Sequence, residues 1–179
     1  EFRRVLFRSR SVAGDTKRAE AFLHDLQQAY GDRYGQSGNS RLDLREMRAR
    51  LEREQGAQKP LKAGRGGYYD IDFLLLYLRL KNAGIYYSYL NTPARIEVLE
   101  TSGKLSASDA QVLRESATFY RALDHAMRIL TGHSEARLPR SGAQLDYLHA
   151  LLPRWTPIPL SDLERVREDV RALFGRFFY

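Results

Sequence analysis

Between Ser106 and Thr131 apolar residues return every third or fourth position: Ala110, Leu113, Ala117, Tyr120, Leu123, Met127 and Leu130. This spacing lays one continuous stripe along a single face of a long helix, and such a stripe must pack against something. No segment of the chain shows the strict apolar–polar alternation of a half-buried strand, so a sheet is not on offer as the partner. Other helices must cover it.

The rest of the chain supplies them. Asp15 to Tyr30 carries Ala19, Phe22, Leu23, Leu26 and Tyr30 on one face and is closed by Gly31. After a polar turn from Gly35 to Ser40, Leu42 to Glu54 repeats the pattern with Leu44, Met47 and Leu51, and Gly56 ends it. Gln58 to Gly67 is a loop containing Pro60, Gly64, Gly66 and Gly67. Tyr69 to Asn82 is apolar on nearly all sides, and its length and leucine content point to a central helix rather than a buried strand. Pro93 suits a first helical turn, so Ala94 to Thr101 is a short helix stopped by Gly103. A helix from about Gly142 to Leu152 precedes a bend at Pro153, Pro157 and Pro159. The last helix opens with Ser161-x-x-Glu164, a capping-box pattern, and its buried face is Leu163, Val166, Val170, Leu173, Phe174 and Phe177. The expectation is an all-α bundle of about six to seven helices.

Composition narrows what such a bundle does. With no Cys there is no disulfide or thiolate metal site, and a reducing, cytoplasmic setting is expected. The longest apolar run, Phe73 to Leu78, is too short to cross a bilayer, so no membrane partner is expected. The formal net charge of +7 admits anionic partners. The bases nevertheless stand among acids (Arg45, Glu46, Arg48, Arg50, Glu52, Arg53, Glu54), as on a solvated helix face, and nucleic acid is not expected to bind.

Catalytic patterns are few. His24, His125, His133 and His149 have no spacing that puts two on one helical turn, so no metal site is expected, and no nucleophile elbow or P-loop is present. The informative segment is Gly64-Arg65-Gly66-Gly67-Tyr68-Tyr69-Asp70-Ile71-Asp72-Phe73. Glycines before a helix can bring free N–H groups to an anion, with Arg65 suited to phosphate. A plain turn that reorients the chain, with Asp70 stabilising the helix start, explains the spacing better. Asp70 and Asp72 point to nearly opposite sides of a helix and cannot share one metal.

Gly66-Gly67-Tyr68-Tyr69-Asp70-Ile71-Asp72-Phe73, followed by Tyr77-Leu78-Arg79-Leu80, resembles the Gly-Gly-x-x-Asp-Ile-Glu-Phe…Tyr-Leu motif of glutamine synthetase adenylyltransferases. Ala13-Gly14-Asp15 resembles the element that ends that family's nucleotidyltransferase domain. Arg45-Glu46-Met47-Arg48 resembles its Arg-Glu-Met-Arg helix, and Arg95 to Leu99 with Gly103-Lys104-Leu105 its following helix and Gly-x-Leu step. Asp72 stands where Glu is usual, and Tyr68-Tyr69 replaces a small or aliphatic pair.

The resemblance covers most of residues 10–178. It implies a helical domain at 17–179 and, at 10–16, the tail of a missing nucleotidyltransferase domain. Residues 1–9 read as the translation of a sequencing-adapter oligonucleotide and are set aside from the fold. The implied parent adds AMP to glutamine synthetase and removes it, using Mg²⁺ and ATP under a PII signal protein; Asp70 before Ile71 looks more like the adding half. No catalytic carboxylate pair precedes Asp15, so the fragment alone is expected to be inactive and to bind no metal or cofactor. Arg65, Gly66, Gly67, Asp70 and Asp72 are the candidates for bordering the parent's cleft. The alternatives are the helical domain of a PII-protein uridylyltransferase and a free-standing helical interaction module.

Overall fold

The computed structural model describes residues 11–35, 37–82, 91–132 and 137–179. The segment read as adapter (1–9), Arg10 and His133 lie outside them. Among the described residues the order is α1 (Thr16–Tyr30), a π-helical turn (Gly31–Gly35), α2 (Gly38–Gln55), α3 (Tyr68–Lys81), α4 (Thr92–Thr101), α5 (Ala107–Thr131), α6 (Ala143–Leu151), two 3₁₀ turns (Leu152–Arg154 and Leu160–Asp162) and α7 (Leu163–Phe178). No strand occurs among them, so the all-α expectation holds.

The bundle is organised around α3, which packs against α2, α4, α5, α7 and the π-helical turn. Ile71, Phe73, Leu74, Leu75, Tyr77 and Leu78 are all buried, and a helix apolar on every side has to sit inside other helices. α5 buries the expected stripe, with Leu130 only partly covered, and widens it with Ser116, Phe119, Ala122 and Ala126. The Ser106 hydroxyl caps its start by accepting from the Asp109 N–H at 3.1 Å, and Gly132 closes it. On α7 the buried set is Val166, Val170, Leu173, Phe174 and Phe178, with Phe178 stacked on Phe174 at 4.2 Å and set against Tyr77 at 5.1 Å. Phe177, expected inside, is only partly buried, because Phe178 is the residue one full turn past Phe174.

Four boundaries differ from the sequence expectation. Gly31 does not stop α1: it stays helical and leads into the π turn, which brings Gly35 against the Leu80 carbonyl of α3 so closely that a side chain there would collide. α2 begins at Gly38, inside the expected polar turn. α4 begins at Thr92, two residues early, because the Asn91 side chain caps it by accepting from the Ala94 N–H at 2.8 Å. The capping box at Ser161 does not form. Ser161 falls in a 3₁₀ turn, α7 starts at Leu163, and Glu164 accepts from Arg167 at 2.8 Å instead.

Two apolar residues expected on buried faces are exposed, while their neighbours on the same faces are half-buried. Met47 on α2 is 46% exposed, and Phe22 on α1 is 63% exposed. The buried residue of α1 is polar: Gln27, whose carbonyl accepts from the guanidinium of buried Arg79 at 3.1 Å.

Leu123, fully buried on α5, is a test of this packing. Leu123→Ala is expected to lower the unfolding free energy by about 2–5 kcal/mol. Leu42→Ala, at a position 40% exposed, should stay within about 0.5 kcal/mol, both read from urea melts of the helical circular dichroism.

Candidate functional site

The loop between α2 and α3 winds through tight turns. The Lys59 carbonyl accepts from the N–H groups of Lys62 and Ala63, and Gly67 donates to the Gly64 carbonyl at 2.9 Å. The amides that open α3 are then used in sequence: Tyr68 donates to Leu61, Tyr69 to Lys62 and Asp70 to Gly67. Gly66 donates to the Asp70 carboxylate at 3.0 Å. An anion therefore finds no free N–H among residues 66–70, and the phosphate-cradle possibility gives way to the chain-reversing turn. The side chain that satisfies Gly66 is the acid at the third helical position, which also complements the positive end of α3.

Asp70 itself has no access to water. One carboxylate oxygen pairs with the Arg48 guanidinium of α2, and the other lies 3.3 Å from Arg171 of α7. Glu52 stands 3.4 Å from Arg48 and 3.3 Å from Arg171, so two acids and two arginines alternate. Burial pushes the Asp70 carboxyl upward, against the pull of Arg48, Arg171 and the Gly66 amide. The groups that face it, two arginines and a backbone N–H, are all donors, which favours the ionised form.

The loop's carbonyls are held by side chains from three helices. Arg48 donates to the Gly64 carbonyl at 2.7 Å and the Tyr120 hydroxyl of α5 to the Gly66 carbonyl at 2.6 Å, while Arg167 of α7 donates to the Pro60 carbonyl at 2.9 Å. Burial raises the Tyr120 phenol well above its ordinary range, so it remains a donor. Gly66 adopts φ 69, and any side chain there would run into the Arg167 carbonyl.

The five residues singled out by the motif thus separate. Gly66, Gly67 and Asp70 are brought together in the interior, where they join α2, α3, α5 and α7. Arg65 is exposed on the rim of a groove of ≈ 1010 Å³ between α2 and α7. Asp72 is half-buried on the opposite side of α3, in a cleft of ≈ 240 Å³ with Tyr68, Tyr69, Lys62, Arg121 and Asp124. There Arg121 lies over the Tyr68 ring at 5.3 Å and donates to its hydroxyl at 3.3 Å, and Asp124 pairs with Lys62 at 3.1 Å and Arg128 at 3.0 Å.

Among the described residues no three His, Asp or Glu side chains converge on a point that could hold a metal. Asp70 is committed to arginines and Asp72 faces away from it, so these carboxylates do not fit Mg²⁺. Sequence reasoning placed Arg48 on a solvated face, yet it is 1% exposed. The signal was available: Arg48 stands four residues after Leu44 and three before Leu51, on α2's own apolar line. Tyr120 was placed inside by the α5 stripe, though not its bond to Gly66, and Arg167 and Arg171 carried no comparable signal.

Removing the Asp70 carboxylate strands Arg48 without its partner, and Asp70→Ala is expected to cost about 3–5 kcal/mol in a denaturant melt. Glu54→Ala, which breaks the exposed Arg50–Glu54 pair, should leave the midpoint unchanged. Gly103 has the same φ of 69 as Gly66 but open space around it. Gly103→Ala should therefore cost only the left-handed strain, about 1 kcal/mol, and Gly66→Ala at least twice as much; equal losses would mean that the Arg167 backbone does not constrain the loop.

The profile of the family described as "GlnD PII-uridylyltransferase" matches residues 39–178, from the first turn of α2 to the end of α7. Curated relatives named "Bifunctional glutamine synthetase adenylyltransferase/adenylyl-removing enzyme" are similar over much of the chain. The one from Nitrosococcus oceani is 35% identical over 75% of this chain and 14% of its own length. The one from Hahella chejuensis is 31% identical over 77% and 15%. The one from Leifsonia xyli is 30% identical over 98% and 18%. The chain thus spans less than a fifth of the length of these relatives. With its central α3 and both ends of its arginine–aspartate network inside the matched span, the chain belongs to the GlnD PII-uridylyltransferase family.

Proposed function

We propose that residues 17–179 are the helical domain of a bifunctional enzyme that adenylylates glutamine synthetase and removes the adenylyl group, and that residues 10–16 end its nucleotidyltransferase domain. The observation that carries this reading is the shared name of relatives at 30–35% identity. In adenylylation the α-phosphorus of ATP is transferred to glutamine synthetase and pyrophosphate leaves. That reaction calls for clustered carboxylates and Mg²⁺, which this chain's acids do not fit, so the chemistry is assigned to the neighbouring domain. The helical domain supports that neighbour and helps present the protein substrate. Gly66, Gly67 and Asp70 serve from within by fixing the loop, and Arg65 and Asp72, which reach the surface, are the motif residues able to border a catalytic cleft. A PII protein as regulator and a cytoplasmic location belong to the same reading; no helix among the described residues is long and apolar enough to cross a membrane.

The description of the matching family favours a second reading, the helical domain of a PII-protein uridylyltransferase. One experiment separates the two. The intact parent enzyme, given Mg²⁺-ATP and glutamine synthetase, is expected to add one adenylyl mass to the synthetase. Given Mg²⁺-UTP and PII it should leave PII unmodified, and residues 11–179 alone should modify neither. Uridylylation of PII with no adenylylation of the synthetase would replace the first reading by the second.

A further inference from the structure

The groove of ≈ 1010 Å³ between α2 and α7 is lined by arginines whose donors the fold does not use up. Arg53 and Arg65 are exposed there, and among the described residues neither has an ion-pair or hydrogen-bond partner. Arg171 reaches Asp70 and Glu52 through Nη1, at 3.3 Å each. A guanidinium carries donors on all three nitrogens, so the outer edge of Arg171 is left for an acceptor in the groove. The acids of the lining do not supply one. Glu52 is already shared between Arg48 and Arg171, and Glu164 pairs with Arg167. Only Glu168 stands without a partner among the described residues, against three arginines with spare donors.

The wall of the groove supplies a second observation. Gly175 lies inside α7, where glycine is less stable than alanine. Nothing in the fold requires it, because its φ is not positive and a Cβ there would meet no atom within 4 Å. What the missing side chain does is keep the groove open, beside Ala172. The identity of the cations points to the occupant. All of them are arginines, whose planar forks pair with the oxygens of phosphate two at a time, and no lysine lines the groove. A single phosphate fills little of this volume, whereas a chain of phosphates offers acceptors to several guanidiniums at once.

We propose that the groove between α2 and α7 binds a polyphosphate anion, free or carried by a nucleotide, through Arg53, Arg65 and the outer edge of Arg171, with Gly175 leaving room for it. The site is not a cradle of backbone N–H groups, since those of residues 66–70 are used within the protein. It is the same whichever transfer the parent enzyme performs. Arg171 links it to the interior: the side chain that meets the anion on one edge holds Asp70 on the other.

Calorimetric titration of the 179-residue chain, its helical circular dichroism checked first, tests this with sodium tripolyphosphate and with ATP, without added metal and at constant ionic strength. Saturable binding is expected for both; equal affinities assign the site to the phosphates alone, and tighter binding of ATP adds the nucleoside. Arg53→Ala combined with Arg65→Ala should weaken binding by roughly ten-fold or more. Because both side chains are exposed, the pair should leave the melting midpoint where it was. Gly175→Leu should melt no lower than the wild type and yet bind neither anion. The proposal is overturned if the wild type shows no saturable binding, if the double variant or Gly175→Leu binds as the wild type does, or if citrate binds as tightly as tripolyphosphate, which would make the groove a general anion surface.

Discussion

A carboxylate without access to water sits where four helices meet. Asp70 is held between Arg48 of α2 and Arg171 of α7 and also accepts from the Gly66 N–H, while the Gly66 carbonyl accepts from Tyr120 of α5. A buried ion pair of this kind adds little stability over a well-packed apolar substitute, because desolvation offsets most of the attraction. What it imposes is position. Leu-on-Leu contacts tolerate sliding by a few tenths of an ångström, whereas hydrogen bonds to fixed carbonyls do not. The network therefore sets where α2 and α7 lie relative to α3, and the glycine loop takes its shape from the same contacts.

The loop shows why its residues cannot be interpreted one at a time. Gly66 is required by its φ and by the Arg167 backbone, Gly67 gives the turn back to Gly64, and Asp70 closes the circuit through the Gly66 amide. A glycine-rich stretch before a helix has the same local appearance whether it cradles a phosphate or reverses the chain. The difference lies in where the N–H groups go, and here residues 66–70 all donate within the protein.

Features with a local cause were legible in the sequence. The α5 stripe and the all-round burial of α3 follow from spacing within one segment, and each appears in the structure. Features that depend on distant segments were not. The contacts of Arg167 with Pro60 and of Arg171 with Asp70 join positions more than a hundred residues apart and leave no periodic trace. Arg48 was hidden by its neighbours, since a helix crowded with Arg and Glu looks solvated until its inward line, Leu44, Arg48 and Leu51, is identified. The capping box at Ser161 failed for a related reason. Pro157 and Pro159 deliver the chain into a 3₁₀ turn, and Glu164 pairs with Arg167, whose other nitrogen anchors the loop.

Polarity is thus inverted between two parts of the molecule. At the centre, charged groups are buried and paired, Asp70 with Arg48 and Arg171; at α1, Phe22 is left at the surface while Gln27 is buried against Arg79. Both depart from the usual distribution of side chains, and they have different causes. The charges around Asp70 are paired within residues 39–178, the span the family profile recognises, whereas buried Arg79 reaches outside it to Gln27 of α1. α1 lies outside the span, and of its apolar residues Ala19, Leu23, Leu26 and Tyr30 are half-buried and Phe22 is exposed. The structural division and the sequence division coincide at the π-helical turn, where Gly35 meets the Leu80 carbonyl and the chain passes from α1 into the bundle.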